Sequence, residues 1–188
     1  MLRAHEDSAR YADPAAYEAY QAREGQELVV SQLVVGAVGD VFDGWLNHVW
    51  LAGGREVRAG NGRGLVGHVR QVPLGVQEEI LSAGLPSSSS SFDRIPTVHY
   101  RLRRFGPFPL KDHLALVRFV DVAASPNSAP ATLVVWTVKF EPSPLGYVLC
   151  CGLVVRLIFR TALQFFLAQL AARQLKLQRL AECSSSAS

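Results

Sequence analysis

The sequence predicts an α+β protein in which an antiparallel sheet of about six to seven strands packs against a long C-terminal helix. Apolar and polar residues alternate with period two over much of residues 55–142, as in strands that bury one face. Short breaks rich in glycine, proline and serine separate these runs, so consecutive strands are expected to pair as antiparallel neighbours. The last apolar stretch, 144–181, is long enough for one helix.

Composition limits the class of protein. A chain of 188 residues is most simply one domain, and a net charge of +3 is too small to predict nucleic-acid binding. Cys150, Cys151 and Cys183 are odd in number and two are adjacent, which favours free thiols and a cytoplasmic location over a disulfide framework. The first twenty residues carry charges of both signs without an apolar core, so no secretory signal is expected.

Residues 1–26 are predicted to form an N-terminal extension with one short helix. Asp13 is suited to cap the helix and Pro14 to occupy its first turn. The helix is expected to run to about Arg23 and to stop at Gly25.

Further elements follow from periodicity and composition. Trp45 lies four residues from Val41 and from Val49, which predicts a short helix with one apolar stripe. The predicted strands are 27–35, 65–72, 76–83, 97–104, 111–122 and 131–141. The serine run 87–91 is predicted to be a loop tip.

The C-terminal helix is predicted to start at a Ser143 cap and to run to about Ala181, followed by a disordered tail, 182–188. Arg156 and Arg160 share one of its faces. Each arginine would cost about 2.5–3.5 kcal/mol near the middle of a bilayer. We therefore expect a packed helix that does not span a membrane, while contact with a membrane surface remains open.

Four segments together resemble one known family. They are "GRGLVGHVRQV" (62–72), "VQEEIL" (76–81), "VHYRLRRFGPFPLKDHLALVRF" (98–119) and "TLVVWTVKFEP" (132–142). In this order they resemble the polyketide cyclase/dehydrase and lipid-transport family of the START-like (SRPBCC) superfamily. His113 stands where that family usually has tyrosine.

The resemblance covers about residues 27–180 and implies a helix-grip fold, with 27–181 as the domain. In that fold a curved antiparallel sheet wraps around the C-terminal helix and leaves a pocket for an apolar ligand. Members include lipid carriers, hormone receptors, plant allergens and aromatic polyketide cyclases, so the fold does not fix the activity.

Strand alternation indicates which side chains face the helix. On the last strand Lys139 and Glu141 are expected to face water, and on an earlier strand Arg101 and Arg103. The opposite side then supplies the predicted ligand-binding residues Tyr100, Val134, Trp136, Val138 and Phe140. Tyr100 and Trp136 could equally be plain core.

Two charged residues complete the predicted site. The resemblance places Glu78 on the inner side, where it would need a partner, and Arg70 is available for that role. The pair could orient a polar ligand end or support proton transfer. Alternatively, Glu78 is a solvated strand residue and Arg70 caps a loop.

Other chemistry is not predicted. Asp112 and His113 are adjacent on a strand and point to opposite faces, which disfavours an acid–base pair. Histidines and cysteines lack the spacing of metal ligands, and the glycines of 60–64 lack the residues of a phosphate loop. We expect no metal, no cofactor and no nucleic acid.

Three functions are consistent with the sequence. The first is binding or transport of a small hydrophobic molecule (a lipid, polyketide or aromatic compound) between sheet and helix. The second is a cyclase, aromatase or dehydratase that uses the same space. The third is an interaction protein whose apolar helix docks on a membrane or a partner. Sequence alone leaves the ligand, the catalytic residues and the oligomeric state unknown.

Overall fold

A seven-stranded antiparallel sheet forms the centre of the fold, in a computed structural model that describes residues 11, 13–84, 95–122, 129–148 and 151–185. The strands are β1 (Gln26–Val35), β2 (Arg55–Arg58), β3 (Val69–Gln71), β4 (Gln77–Gly84), β5 (Thr97–Arg104), β6 (Leu110–Val122) and β7 (Ala131–Pro142). Their order in the sheet is β1-β7-β6-β5-β4-β3-β2. The predicted α+β class and strand number are confirmed.

The helices are α1 (Pro14–Ala22), α2 (Val38–Trp45), α3 (Pro144–Val148) and α4 (Cys151–Ser185). A π-helical turn (Leu46–Trp50) and a 3₁₀ turn (Leu51–Gly53) continue α2. A second 3₁₀ turn, Pro73–Gly75, joins β3 to β4. The serine run 87–91 and Cys150 lie outside the described residues.

Two strand predictions are corrected by the structure. The predicted strand 65–72 is shortened to β3, because the chain turns at Leu65, whose φ is 55°, and Asn61 bridges to Val66. β2 was not predicted. Three of its four residues are charged and all four are exposed, so this edge strand lacks the apolar face that marks a strand in sequence.

The N-terminal helix is capped as predicted and covers the outer face of the sheet. The Ala16 N–H donates to Asp13 Oδ1 at 3.1 Å. Tyr20 is almost completely buried in a small cluster with Leu114 and Leu116 of β6. The extension is therefore packed on the sheet over α1.

Polar contacts also hold the C-terminal end of α1 against the sheet. Arg23 Nε lies 2.8 Å from Asp112 Oδ2, and Lys139 Nζ donates to the carbonyls of Gln21 and Arg23, each at 3.1 Å. Asp112 and Lys139 thus face outward, as strand alternation predicts.

The C-terminal segment follows the predicted cap and differs in its length. Gly146 N–H donates to Ser143 Oγ at 3.2 Å at the start of α3. Helix α4 then continues to Ser185, past the predicted end at Ala181, so residues 182–185 belong to the helix rather than to the predicted tail.

Helix α4 packs along β1 and supplies one face to the core. By length and composition its segment Gly152–Ala181 could cross a membrane, and 22% of its most apolar stretch is buried in the protein. The buried side chains are Val155, Leu163, Leu167 and Leu170. These four side chains pack in the core, so one face of α4 belongs to the folded domain. That the helix does not span a bilayer stays a prediction.

Candidate functional site

Arg70 and Glu78 lie side by side on β3 and β4, where the register pairs them. Arg70 Nε donates to Glu78 Oε2 at 2.5 Å, and both side chains are largely buried. Arg70 Nη1 also donates to the carbonyl of Val49, at 2.7 Å, and to that of Trp50. The predicted ion pair is present, and Arg70 also caps the carbonyl end of the π-helical turn.

Trp50 connects this pair to a buried histidine. The Arg70 guanidinium stacks 4.1 Å from the centre of the Trp50 ring. Trp50 Nε1 donates to His68 Nδ1 at 2.9 Å, and His68 Nε2 lies 3.2 Å from Glu56 Oε2. Since an indole N–H can only donate, His68 Nδ1 accepts and its proton sits on Nε2, which donates to Glu56.

The inner face of the sheet meets α2 in a group of aromatic rings. Trp136 Nε1 donates to Tyr100 Oη at 3.0 Å, the Tyr100 ring lies 5.2 Å from Trp50, and Trp45 lies 5.3 Å from Trp136. Burial, reinforced by the nearby Glu78 carboxylate, raises the pKa of Tyr100 far above its usual value. Tyr100 therefore stays protonated and cannot act as a base near neutral pH.

His113 lies on the same inner face, beneath α4. Its ring centre is 5.9 Å from that of Tyr100 and 5.5 Å from that of Phe159 on α4. Burial lowers the pKa of His113 to about 3, so the imidazole is neutral at physiological pH. Its Nδ1 atom is buried and has no hydrogen-bond partner within the described residues.

Trp45 carries a second such atom. Trp45 Nε1 is buried without a partner in the part of the chain that the structure describes, although its ring packs on Trp50, Phe119 and Trp136. Buried polar atoms normally have partners, so two unpaired nitrogens in one inner layer call for an explanation.

The remaining predicted ligand-binding residues are inward, as expected, and tightly packed. Trp136 and Phe140 retain 2% and 1% exposure, and Val134 and Val138 no more. The Phe140 ring lies 5.6 Å from that of Phe159. These side chains belong to the core in this structure, and their contact with a ligand stays a prediction.

The sequence did not predict that Trp45, Trp50 and His68 lie beside the site. The π-helical turn, rather than an α-helical one, stacks Trp45 on Trp50 across five residues, with ring centres 6.0 Å apart. No sequence signal distinguishes that turn from a continued α-helix. His113 was considered only as half of a pair with Asp112, and the structure places the two on opposite faces, as alternation predicts.

Metal binding has no support among the described side chains, where no three histidine, cysteine, aspartate or glutamate residues are grouped to hold an ion.

Comparison with known proteins gives the fold. No protein-family model and no curated protein matches the sequence. The structure resembles the protein XoxI from Bacillus cereus, with 15% identity and a TM-score of 0.53 over 81% of this chain and 97% of that one. It also resembles Ara h 8.0201, with 13% identity and a TM-score of 0.51 over 80% and 98% of the two chains. A protein from Bacillus thuringiensis, of 16% identity, has a TM-score of 0.50 over 80% and 99%.

These likenesses, with the curved sheet and the long C-terminal helix, define an α+β protein of the helix-grip type. The chain therefore has the helix-grip fold.

Proposed function

We propose that the protein binds or carries a small hydrophobic molecule between the inner face of the sheet and α4. The observation that carries the proposal is the pair of buried, unpaired nitrogens, His113 Nδ1 and Trp45 Nε1, within an otherwise apolar and aromatic layer of the described structure. A bound molecule with one or two polar atoms would supply the missing hydrogen bonds.

The same layer indicates what kind of molecule fits. A neutral imidazole and an indole N–H suit a hydroxyl or carbonyl group. Three hydrogen bonds already engage Arg70, two of them to helix carbonyls, so we assign it and Glu78 to positioning Trp50 rather than to binding an anion. The proposed ligand is therefore uncharged, largely apolar and in contact with the predicted residues Tyr100, Val134, Trp136, Val138 and Phe140.

The ligand must displace contacts that these residues now make. Each is almost fully covered by neighbouring side chains, so binding requires α4 or α2 to shift away from the sheet. Part of the binding free energy is spent on that shift, and micromolar affinity is the expected range.

The test is a fluorescence titration with N-phenyl-1-naphthylamine, an uncharged apolar probe, together with mass spectrometry of an organic extract of the purified protein. We expect saturable binding by the wild type and weaker binding by His113→Leu. His99→Leu is the matched control, because His99 is also buried with an unpaired ring nitrogen but lies near Asp13 and Arg23, at the two ends of α1.

Two results would count against the proposal. Absence of both saturable binding and an extracted ligand would contradict the binding function. Equal affinities of the two histidine variants for the probe would show that His113 does not contact the ligand.

The enzymatic alternative, a cyclase, aromatase or dehydratase, has weaker support. Burial keeps Tyr100 protonated and lowers the pKa of His113 to about 3, which leaves a poor base in the site. Membership of the polyketide cyclase/dehydrase and lipid-transport family and a cytoplasmic location remain proposals that rest on the sequence.

A further inference from the structure

The outer face of α4 is apolar and uncovered. Five large side chains retain 43–77% of their surface: Leu153, Val154, Leu157, Ile158 and Phe165. At about 100° per residue they fall within an arc of about 140°, which also contains Ala168, Ala172 and two exposed polar residues, Thr161 and Gln164. Adjacent α3 adds exposed Leu145, Tyr147 and Val148. A soluble monomer seldom exposes this many large apolar side chains on one helix face.

Basic residues border this face. Arg160 lies about 20° outside the arc on one side and Lys176 lies at its other edge, while Arg173 and Arg179 follow at the C-terminal end. All four are exposed, and none forms an ion pair within the described ranges. The only acidic residue of α4 is Glu182, so the surface as a whole is positively charged.

We propose that the outer face of α4 docks on a lipid bilayer that contains anionic lipids, with the helix axis parallel to the surface. Leu157, Ile158 and Phe165 enter the boundary between headgroups and acyl chains, and Arg160 and Lys176 contact lipid phosphates. Twenty residues, 153–172, give a contact line of about 30 Å. The opposite face of α4 remains in the protein core.

The shape and charge of the surface favour a bilayer over a protein partner. One helix projects a convex apolar ridge, which can sink into lipid but offers a partner no groove. A second copy of the chain would bring the same positive border against itself, and like charges would repel. The inference is independent of the ligand proposed above.

Vesicle flotation with the full chain tests the proposal, using phosphatidylcholine vesicles with and without phosphatidylserine. We expect the wild type to float with the anionic vesicles and to be released by salt. The double variant L157Q/F165Q should lose at least about tenfold in partitioning, because two exposed apolar side chains no longer enter lipid. R160Q/K176Q should reduce binding to the anionic vesicles towards the level without phosphatidylserine.

Matched controls use exposed residues away from α4. Leu74→Gln is the control for the apolar variant, and R55Q/R104Q for the basic one; both should bind as the wild type does. The substituted side chains are exposed, so circular dichroism should show unchanged folding in all variants. Failure of the wild type to float, or equal flotation of L157Q/F165Q, would overturn the proposal. A dimer that L157Q/F165Q disrupts, without vesicle binding, would assign the face to a second copy instead.

Discussion

At the scale of single residues, the buried charges near Trp50 make several contacts that stabilise the fold. Arg70 contributes an ion pair with Glu78, hydrogen bonds to two carbonyls and a stacked contact with the Trp50 ring. Removal of one partner from such a pair leaves a buried charge without compensation.

We therefore expect Arg70→Met to lower the free energy of unfolding by about 3 kcal/mol. The double variant R70M/E78L should lose less, since it removes both buried charges together. Urea unfolding followed by circular dichroism measures both, with exposed Arg104→Met as a control that stays within about 0.5 kcal/mol of the wild type. A double variant that is less stable than the single one would contradict this account.

Two buried histidines make stability depend on pH. Burial lowers the pKa of His113 to about 3 and that of His99 to about 4, both below the unfolded value near 6.5. The unfolded chain therefore binds more protons than the folded one between pH 6.5 and these values, so stability falls as the pH falls through this window.

Each histidine should cost about 2 kcal/mol on going from pH 8 to pH 5. Urea unfolding at the two pH values should show a smaller difference for His113→Gln than for the wild type, even if the substitution changes stability at both. An unchanged difference would show that His113 takes up a proton in the folded state at pH 5.

At the scale of elements, the sequence predicts strands whose apolar residues recur with a regular period. It does not predict elements that form through contacts with other parts of the chain. β5 and β7 were predicted nearly to their ends because apolar residues alternate along them. β2 was missed because it is charged and exposed, and the π-helical turn because its hydrogen bonding has no residue signature. The Arg70–Glu78 contact followed from the family resemblance, whereas the capping of the turn by Arg70 required the structure.

Helix α4 has one face in the core and another face exposed to solvent. Leu167 is 1% exposed and Leu157 64%, although both are leucines of the same helix. We expect Leu167→Ala to cost about 2–5 kcal/mol of unfolding free energy through lost burial and a cavity. Leu157→Ala should stay within about 0.5 kcal/mol. Similar losses for both, in thermal or urea unfolding, would place Leu157 in a contact of the folded protein.

At the scale of the whole molecule, helix α1 of the N-terminal extension is part of the folded unit. Tyr20 is almost fully buried against β6, and its hydroxyl donates to Glu27 Oε1 at 2.8 Å. Lys139 Nζ lies 4.9 Å from the centre of its ring.

Tyr20→Ala should therefore destabilise the protein by about 3 kcal/mol, and Tyr20→Phe, which loses only the hydrogen bond, by about 1 kcal/mol. Exposed Tyr147→Ala serves as the control. Thermal unfolding compares the three, and a Tyr20→Ala variant as stable as the control would show that the extension folds apart from the sheet.

The position of β1 in the sheet determines when this strand can find its partner during translation. Residue 26 pairs with residue 140, and among the described strands β1 lies beside β7 alone. At about 5–20 residues per second, translation adds the intervening hundred or so residues in about 5–20 s. During that time the nascent chain carries an apolar strand with no partner. Strand β1 is synthesised long before β7, its partner in the sheet, and we expect a chaperone that shields β1 to raise the yield of native protein.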